Sequence, residues 1–484
     1  MKNQIIVISY LLLFTFCLSY SLNSQPTYSE HKEEIIIRDL ITAVNSKSSN
    51  SISTFVQRHI PEKSGSTMTE ARLEKFKEIT GGITYVEKYH PEKPNENESS
   101  YVVKGNNYRL LRTVYIVYRN ASRNEIHEFD FGLFRKSKNT LSESAVIDSV
   151  RQLIDEISDK DLFSGSVLIA KGDEVLMKKA VGQASKRFQV MNNDSTRYNL
   201  GSMNKMFTAL AIMKLVSEQV IALDDTINQF IDDRWLPGPI SSQITIRHLI
   251  SHSSGLGSYF TPEFFNSSRD KLRQLEDYRF LVQNEKLAFT PGSKYQYSNT
   301  GMLLLGIILE KTTGNDYYEY IRENIYKPAN MKHSDSYQID QPVENLAIGY
   351  SRAENKYGYE NNILKHVLMG SPAGGGYSTV GDLHNFALAL KNGKLVPEKY
   401  LQEMWIDYFG THNYGYGFKV EDYPFEKIVG HSGGFYGISA DLSIFLQSDY
   451  VAVVLSNYES GEQLSHKINH LLLHVDRPAS RLND

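Results

Sequence analysis

Two side chains that could act together as a nucleophile and its base lie three residues apart, at Ser202 and Lys205. Residues at this spacing are neighbours on a helix, and the segment that follows is apolar on nearly every side up to Val216. A lysine in such a helix loses its hydration, and the helix N-terminus also disfavours its charge. Lys205 is therefore expected to be neutral and to accept the proton of Ser202. The pattern predicts an acyl-enzyme at Ser202, whose backbone N–H would be one oxyanion donor.

The Ser-x-x-Lys spacing alone does not establish this chemistry. Ser29 and Ser268 each have a lysine three residues later, in polar segments where that lysine would be solvated. The same spacing also fits a serine that caps a helix and a lysine that reaches out to water. Ser202 differs because Gly201 precedes it, an apolar helix follows it, and two further motifs lie downstream.

The second motif, Tyr297-Ser298-Asn299, follows a Pro-Gly turn and opens an apolar helix. A tyrosine beside a serine–lysine pair can pass the proton on to the leaving group, and an asparagine amide can hold the acyl amide of a substrate. Tyr-x-Asn occurs elsewhere in the chain, but only here does it follow such a turn and precede a buried helix. We predict that Ser202, Lys205 and Tyr297 are catalytic and that Asn299 binds substrate.

The third motif is Gly430-His431-Ser432-Gly433-Gly434, between two predicted strands. It also fits Gly-x-Ser-x-Gly, the nucleophile elbow of α/β-hydrolases, which would make Ser432 the nucleophile. That elbow requires a helix after the serine, whereas residues 438–444 have the pattern of a strand. We favour a strand edge at which Gly433 lets the backbone approach the acyl group and the Gly434 N–H is the second oxyanion donor.

Histidines offer two rival sites. His466, His470 and His474 are spaced four apart on the last predicted helix and could hold a metal ion. They project away from the apolar face of that helix, so we expect a solvated stripe and predict no metal site. His252 could be a catalytic base, but we interpret it as a turn residue because Lys205 already fills that role.

Composition argues against several other functions. Lys and Arg total 52 against 56 Asp and Glu, for a net charge of −4 without a basic run, so we expect no nucleic-acid partner. No cofactor is expected, since the glycines at 374–376 lack the Gly-Lys-Ser/Thr of a phosphate loop. The single cysteine, Cys17, lies near the N-terminus, so the mature chain would have no disulfide and no cysteine nucleophile.

The N-terminus has the pattern of an export signal. An apolar run from Ile5 to Leu18 is too short to span a bilayer comfortably and suits a signal-peptide core. Small residues after it predict cleavage after Ser21, so residues 1–21 are assigned to a signal peptide and no membrane span remains. The alternatives are an uncleaved anchor and a lipid at Cys17. We expect a periplasmic or extracellular protein of a bacterium.

Residue periodicity divides the mature chain at about residue 140. Residues 22–140 show helices and then four strand-like segments, which predicts a small α+β accessory domain of unknown partner. It bears a general resemblance to nuclear-transport-factor-like domains. Residues 141–484 begin with a helix and two strands, continue through a helical region and end in four strands and a helix. Those last strands are predicted at Tyr414–Val420, Lys427–His431, Ile438–Phe445 and Tyr450–Ser456.

Together, the motifs at Ser202, Tyr297 and His431 resemble those of the serine β-lactamase-like family, in its class C β-lactamase, DD-peptidase and esterase branch. The resemblance covers residues from about 145 to 475. It implies an α+β fold with a five-stranded antiparallel sheet flanked by helices, beside a helical lobe. It also implies acylation of Ser202, proton transfer by Lys205 and Tyr297, and an oxyanion hole made by the Ser202 and Gly434 N–H groups.

One position departs from that family. Its β-lactamases and carboxypeptidases carry a lysine where this chain has His431, which is shorter and mostly neutral at pH 7. Members of the family that carry a histidine there include esterases and D-aminopeptidase-like enzymes. The resemblance therefore implies an esterase or D-aminopeptidase-like hydrolase that acts on a small molecule or peptide, and we expect His431 to contact the substrate. The alternatives are a β-lactamase or DD-carboxypeptidase, and a penicillin-recognising sensor that is acylated without turnover.

Overall fold

The computed structural model describes residues 28–60, 63–90, 95, 97–119, 126–133, 140–410 and 412–476. The predicted signal peptide and Cys17 lie outside these residues. The chain forms two compact units, Met1–Arg135 and Lys136–Asp484, which divide five residues before the predicted boundary at 140. Among the helices that the structure describes, none has the length and apolar composition that a membrane crossing requires.

The first unit packs three helices against a four-stranded antiparallel sheet whose strands follow one another in chain order. Buried side chains of both layers, among them Leu40, Phe55 and Ile116, form one apolar core. This is the predicted α+β arrangement, and its likeness to nuclear-transport-factor-like domains stays a prediction. The helices are Tyr28–Asn45, Ser51–His59 and Lys63–Thr80, and the strands are Ile83–Tyr89, Glu98–Gly105, Leu111–Tyr118 and Ile126–Leu133.

The second unit is built on an antiparallel sheet that both ends of the unit supply. Its last strand pairs with its first, so that Tyr450 lies opposite Lys171 and Ser456 opposite Gly165. The strands predicted at the two ends of this unit therefore share one sheet. The sheet has six strands, one more than the resemblance implied. Their order is Lys419–Tyr423, Glu426–Phe435, Ile438–Phe445, Tyr450–Ser456, Gly165–Lys171 and Glu174–Val181.

Helices cover both faces of this sheet. Glu143–Asp159 and Gly461–Leu473 contact each other and the strands on one side. On the other side, Leu168 and Val453 join the core of the helical region. The longer helices of that region are Asn204–Ser217, Asn299–Thr313 and Val380–Lys391. The shorter ones are Gly238–Ser241, Ile246–Ile250, Pro262–Asn266, Arg279–Val282, Tyr317–Ile321 and Glu398–Met404.

Short elements connect these layers. The 3-10 turns are Gly201–Met203, Ile227–Gln229, Arg269–Lys271 and Leu275–Tyr278, and Arg322–Tyr326 is a π-helical turn. Three small antiparallel pairs are Gln183–Ser185 with Val190–Met191, Tyr198–Asn199 with Tyr377–Ser378, and Tyr350–Arg352 with Tyr359–Asn361. The pair at Tyr198–Asn199 leads directly into the turn that carries Ser202.

The strand predicted at Tyr414–Val420 is wrong, because the strand begins only at Lys419. The residues before it form a tight turn that the Gly415 N–H closes on the Phe418 carbonyl oxygen. Gly417 has a φ of +71°, and a Cβ there would come within 2.9 Å of the Lys205 carbonyl oxygen. The glycine thus lets this turn lie on the Asn204–Ser217 helix, where an extended strand would not fit.

Candidate active site

Ser202 lies in the 3-10 turn Gly201–Met203, immediately before the Asn204–Ser217 helix rather than in that helix's first turn. Gly201 has a φ of +50°, and a Cβ there would come within 3.0 Å of the Gly434 nitrogen. A Cβ on Gly433 would come within 2.9 Å of the Ser202 nitrogen. Glycines on both sides therefore allow the sheet edge to approach the turn closely. The backbones of Ser202 and Gly434, the two predicted oxyanion donors, lie side by side.

Lys205 is fully buried in the helix that follows. Its Nζ donates to Asn299 Oδ1 at 2.8 Å and to the carbonyl oxygen of Ala373, and neither partner is a carboxylate. Burial lowers the pKa of this amine well below its usual value. A neutral amine has two N–H bonds and one lone pair. Because both partners are pure acceptors, they use the two N–H bonds and leave the lone pair free to take a proton.

Tyr297 lies over this amine, with its ring centroid 4.7 Å from Lys205 Nζ. Burial raises the pKa of the Tyr297 hydroxyl, and a hydrogen bond to Ser202 offsets part of that rise. The tyrosine is therefore protonated at neutral pH and can give a proton as well as relay one. The structure thus brings Ser202, Lys205 and Tyr297 together.

Asn299 begins the Asn299–Thr313 helix, which Ser298 caps by accepting the Gly301 N–H. Its side chain accepts from Lys205 and donates to Ser258 Oγ at 2.9 Å. The amide is therefore held between the amine and a loop, and it also lines the cleft beside Ser202. Its contact with a substrate stays a prediction.

His431 lies in the strand Glu426–Phe435 and is buried, with 3% of its surface exposed. Its Nδ1 is 2.5 Å from the Ser432 carbonyl oxygen and must donate there, so Nε2 accepts from the Tyr414 hydroxyl at 2.9 Å. Burial, and to a lesser extent the nearby positive charge of Lys419, lower its pKa well below 6.5. The side chain is neutral, as expected, but it is not among the residues that line the cleft. Its role as a substrate contact stays a prediction.

We expect the wild type to hydrolyse short neutral esters far better than anionic cephalosporins, because His431 is neutral. His431→Lys should shift the ratio of the two kcat/KM values toward the cephalosporin by about 10- to 150-fold, the size of one charge-assisted hydrogen bond. The gain should lie mainly in KM, since the contact exists in ground and transition states alike. His431→Gln, which adds no charge, is the control. An unchanged ratio in the lysine variant would show that residue 431 does not contact the substrate.

The nucleophile elbow proposed as an alternative does not match the structure around Ser432. This serine lies within a strand, which continues through a hairpin into another strand, Ile438–Phe445, instead of a helix. Ser432 Oγ accepts a hydrogen bond from Lys419 Nζ at 2.6 Å. The required strand–turn–helix is absent at this position.

The three C-terminal histidines are half-buried on and just after the Gly461–Leu473 helix. His474 Nδ1 lies 2.7 Å from the His470 carbonyl oxygen. Within the described part of the chain, no group of three or more His, Cys, Asp or Glu side chains could hold a metal ion.

His252 has a further role besides the turn that the sequence predicts. The residue does have a turn conformation, with a φ of +57°. It is also fully buried, accepts the Ser298 N–H at 3.3 Å, and packs its ring 4.5 Å from that of Tyr297 and 4.8 Å from that of Tyr414. His252 therefore supports the loop that carries Tyr297. Nothing in its local sequence distinguishes this role from that of an ordinary turn.

A cleft opens beside Ser202 and contains about 480 Å³ of empty space, part of which is open to solvent. Asn299 and Gly434 line it together with the glycine-rich segment after Ala373. The rest of its wall is mostly apolar and was not predicted from the sequence. The lining residues are Asn199, Gly201, Ser202, Tyr259, Phe260, Phe264, Asn299, His366, Val367, Ser371, Ala373, Gly374, Gly375, Gly434 and Phe435.

Comparison with known proteins agrees with this fold. Penicillin-binding protein 4* of Bacillus subtilis (strain 168) is 29% identical to this chain, over 67% of this chain and 75% of that protein. The crystal structure of a penicillin binding protein from Bacillus halodurans covers 68% of this chain and 98% of its own, with 25% identity and a TM-score of 0.59. D-amino acid amidase from Ochrobactrum anthropi SV3 shares the fold at 23% identity, with a TM-score of 0.60 and a coverage of 68% and 98%.

The family profile described as Beta-lactamase matches residues 150–477, which include all three motifs. This confirms the resemblance that the motifs suggested and the fold that it implied. The chain therefore belongs to the beta-lactamase family, a family of serine hydrolases.

Proposed function

We propose that this protein is an exported serine hydrolase that cleaves an ester or amide bond through an acyl-enzyme at Ser202. The observation that carries the proposal is Lys205, a buried amine whose two N–H bonds are directed to Asn299 and Ala373. An arrangement that only stabilised the fold would not need a lysine without an anionic partner at this position, since burying such an amine is costly.

The geometry supports a sequence of proton transfers. Lys205 accepts the Ser202 proton, directly or through the Tyr297 hydroxyl, as Ser202 Oγ attacks the substrate carbonyl carbon. The Ser202 and Gly434 N–H groups stabilise the oxyanion. The proton then passes through Tyr297 to the leaving alcohol or amine, whose bond to the carbonyl carbon breaks. A water molecule then hydrolyses the acyl-serine. Its hydroxide part joins the acyl group, and its other proton returns to Ser202.

The comparisons support a hydrolase of this family and do not decide between an ester and an amide for this chain. One similar structure is a D-amino acid amidase, and other relatives are penicillin-binding proteins. Export is proposed from the apolar run at residues 5–18. All candidate catalytic residues belong to the unit Lys136–Asp484.

A fluorophosphonate probe tests this proposal. The folded protein should gain one phosphonyl adduct, located at Ser202 by peptide mass spectrometry, and denatured protein should gain none. An adduct at Ser432 would reverse the assignment of the nucleophile. With p-nitrophenyl acetate, a burst followed by steady turnover is expected, whereas a burst without turnover would favour the sensor.

A further inference from the structure

We propose that the cleft beside Ser202 binds the acyl chain of a neutral ester, and that this chain is apolar, either aromatic or a long alkyl group. The inference rests on the proposed acylation of Ser202 and specifies its substrate class. It depends on the shape of the cleft, on the charges of its lining and on the side of the serine from which the leaving group departs.

Aromatic side chains form both walls of the cleft. Tyr259 and Phe264 are buried on one side, and Phe260 packs on them with ring centroids 4.8 and 4.9 Å away. On the other side, Phe435 packs against His366 at 5.0 Å. The rings of Phe260 and Phe435 lie 5.4 Å apart, so the walls meet there. Phe260 is 36% exposed, which places this contact at the surface.

The described residues that line the cleft include no Lys, Arg, Asp or Glu. His366 donates Nε2–H to the Tyr436 carbonyl oxygen at 3.1 Å, and burial lowers its pKa, so it is neutral at pH 7. Arg269 is close to this wall but is not among the residues that line the cleft. It stacks on the Phe264 ring at 4.0 Å and donates to the carbonyl oxygens of Phe264 and Ser267. A substrate ammonium or carboxylate in this cleft would therefore be desolvated without an opposite charge.

The leaving group is directed away from this cleft. Tyr297 passes the proton to the leaving group in the proposed mechanism, so that group must lie next to Tyr297. Neither Tyr297 nor Lys205 is among the lining residues, whereas Ser202, Asn299 and Gly434 are. With the carbonyl carbon at Ser202, the acyl chain is then the part of the substrate that enters the cleft.

This assignment separates simple esters from D-aminoacyl compounds, two of the substrate types that the family resemblance left open. A D-aminoacyl substrate has a free ammonium next to its carbonyl group, on the acyl side that enters the cleft, and it would find only neutral groups in the described lining. The carboxylate of a β-lactam lies on the side of the leaving nitrogen, so this cleft does not select for or against it. A simple ester with an apolar acyl chain loses no ionic hydration on binding and gains from each methylene that it buries.

The test uses p-nitrophenyl esters, so that the leaving group is constant. From acetate to hexanoate, kcat/KM should rise about fourfold for each methylene that is added. A second set shares a 3-phenylpropanoyl skeleton and carries hydrogen, an ammonium or a carboxylate at the α carbon. The neutral member should be preferred by at least about tenfold. A flat chain-length series, or a preference for either charged ester, would overturn the inference.

Phe260→Ala should lower the hexanoate-to-acetate ratio of kcat/KM by about tenfold, and Phe260→Leu should restore most of it. Phe188→Ala is the matched control, because Phe188 is 71% exposed and does not line the cleft. An unchanged ratio in Phe260→Ala would also contradict the inference. Labelling of Ser202 distinguishes failure of this inference from failure of the proposed function. If Ser202 is labelled but selectivity is flat, only the inference fails, and if Ser202 is not labelled, both fail.

Discussion

Ser202→Ala is expected to lower kcat/KM for a p-nitrophenyl ester by about 10⁴-fold or more, because no covalent intermediate can form without the Ser202 hydroxyl. Ser432→Ala is expected to stay within about twofold of the wild type. Each variant removes the side-chain hydroxyl of one of the two serines that the sequence offers as nucleophiles. Only Ser202 has Tyr297 as a hydrogen-bond partner, whereas Ser432 is bonded to Lys419.

The measurement is initial rate against ester concentration at pH 8, with thermal melting as the check on folding. Ser202 is half-buried in a turn, so the loss of its hydroxyl should change the melting temperature little. A fully active Ser202→Ala protein, or an inactive and folded Ser432→Ala protein, would show that Ser202 is not the nucleophile.

The motifs proposed to be catalytic could be found from sequence because each is local. Ser202 and Lys205 are separated by three residues, and the apolar helix that buries the lysine follows immediately. The same holds for the strands Ile438–Phe445 and Tyr450–Ser456, whose predicted bounds are those of the structure. A run of apolar side chains that a sheet buries begins and ends where the strand does, so the sequence pattern shows the bounds of the strand.

The remaining parts of the site depend on contacts between distant segments. The Ala373 carbonyl oxygen, a partner of Lys205, is a backbone atom that any residue would supply. The cleft walls combine Phe260 with Phe435, residues of separate segments that no periodicity relates. The hydrogen bond between the Tyr414 hydroxyl and His431 lies next to the turn that Gly417, with its positive φ, forms where a strand was predicted.

Lys205→Met and Lys205→Arg are both expected to lower kcat by about 10³-fold, within the range for loss of a general base. Methionine has no lone pair of comparable basicity, and arginine stays protonated and cannot accept the Ser202 proton. For the wild type, kcat/KM should rise with pH through an apparent pKa below 10.5, since only the neutral amine is active. Both variants should lose that rise. A variant that keeps the wild-type profile would show that another group is the base.

The same pKa shift has a consequence for stability that does not depend on any substrate. The pKa of Lys205 is lowered in the folded chain and returns to about 10.5 on unfolding, so between the two values the unfolded chain binds one more proton. The free energy of unfolding of the wild type should therefore rise with pH in that window, by up to about 1.4 kcal/mol per pH unit, and no further above it.

Lys205→Met isolates this contribution. It leaves Asn299 Oδ1 and the Ala373 carbonyl oxygen without their donor, a cost that does not vary with pH because neither group titrates. The difference in unfolding free energy between wild type and variant, measured by urea titration from pH 7 to 10, should thus change with pH in favour of the wild type. A constant difference over that range would mean that Lys205 has the same charge in the folded and unfolded chain, and the buried amine could not be the neutral base that acylation of Ser202 requires.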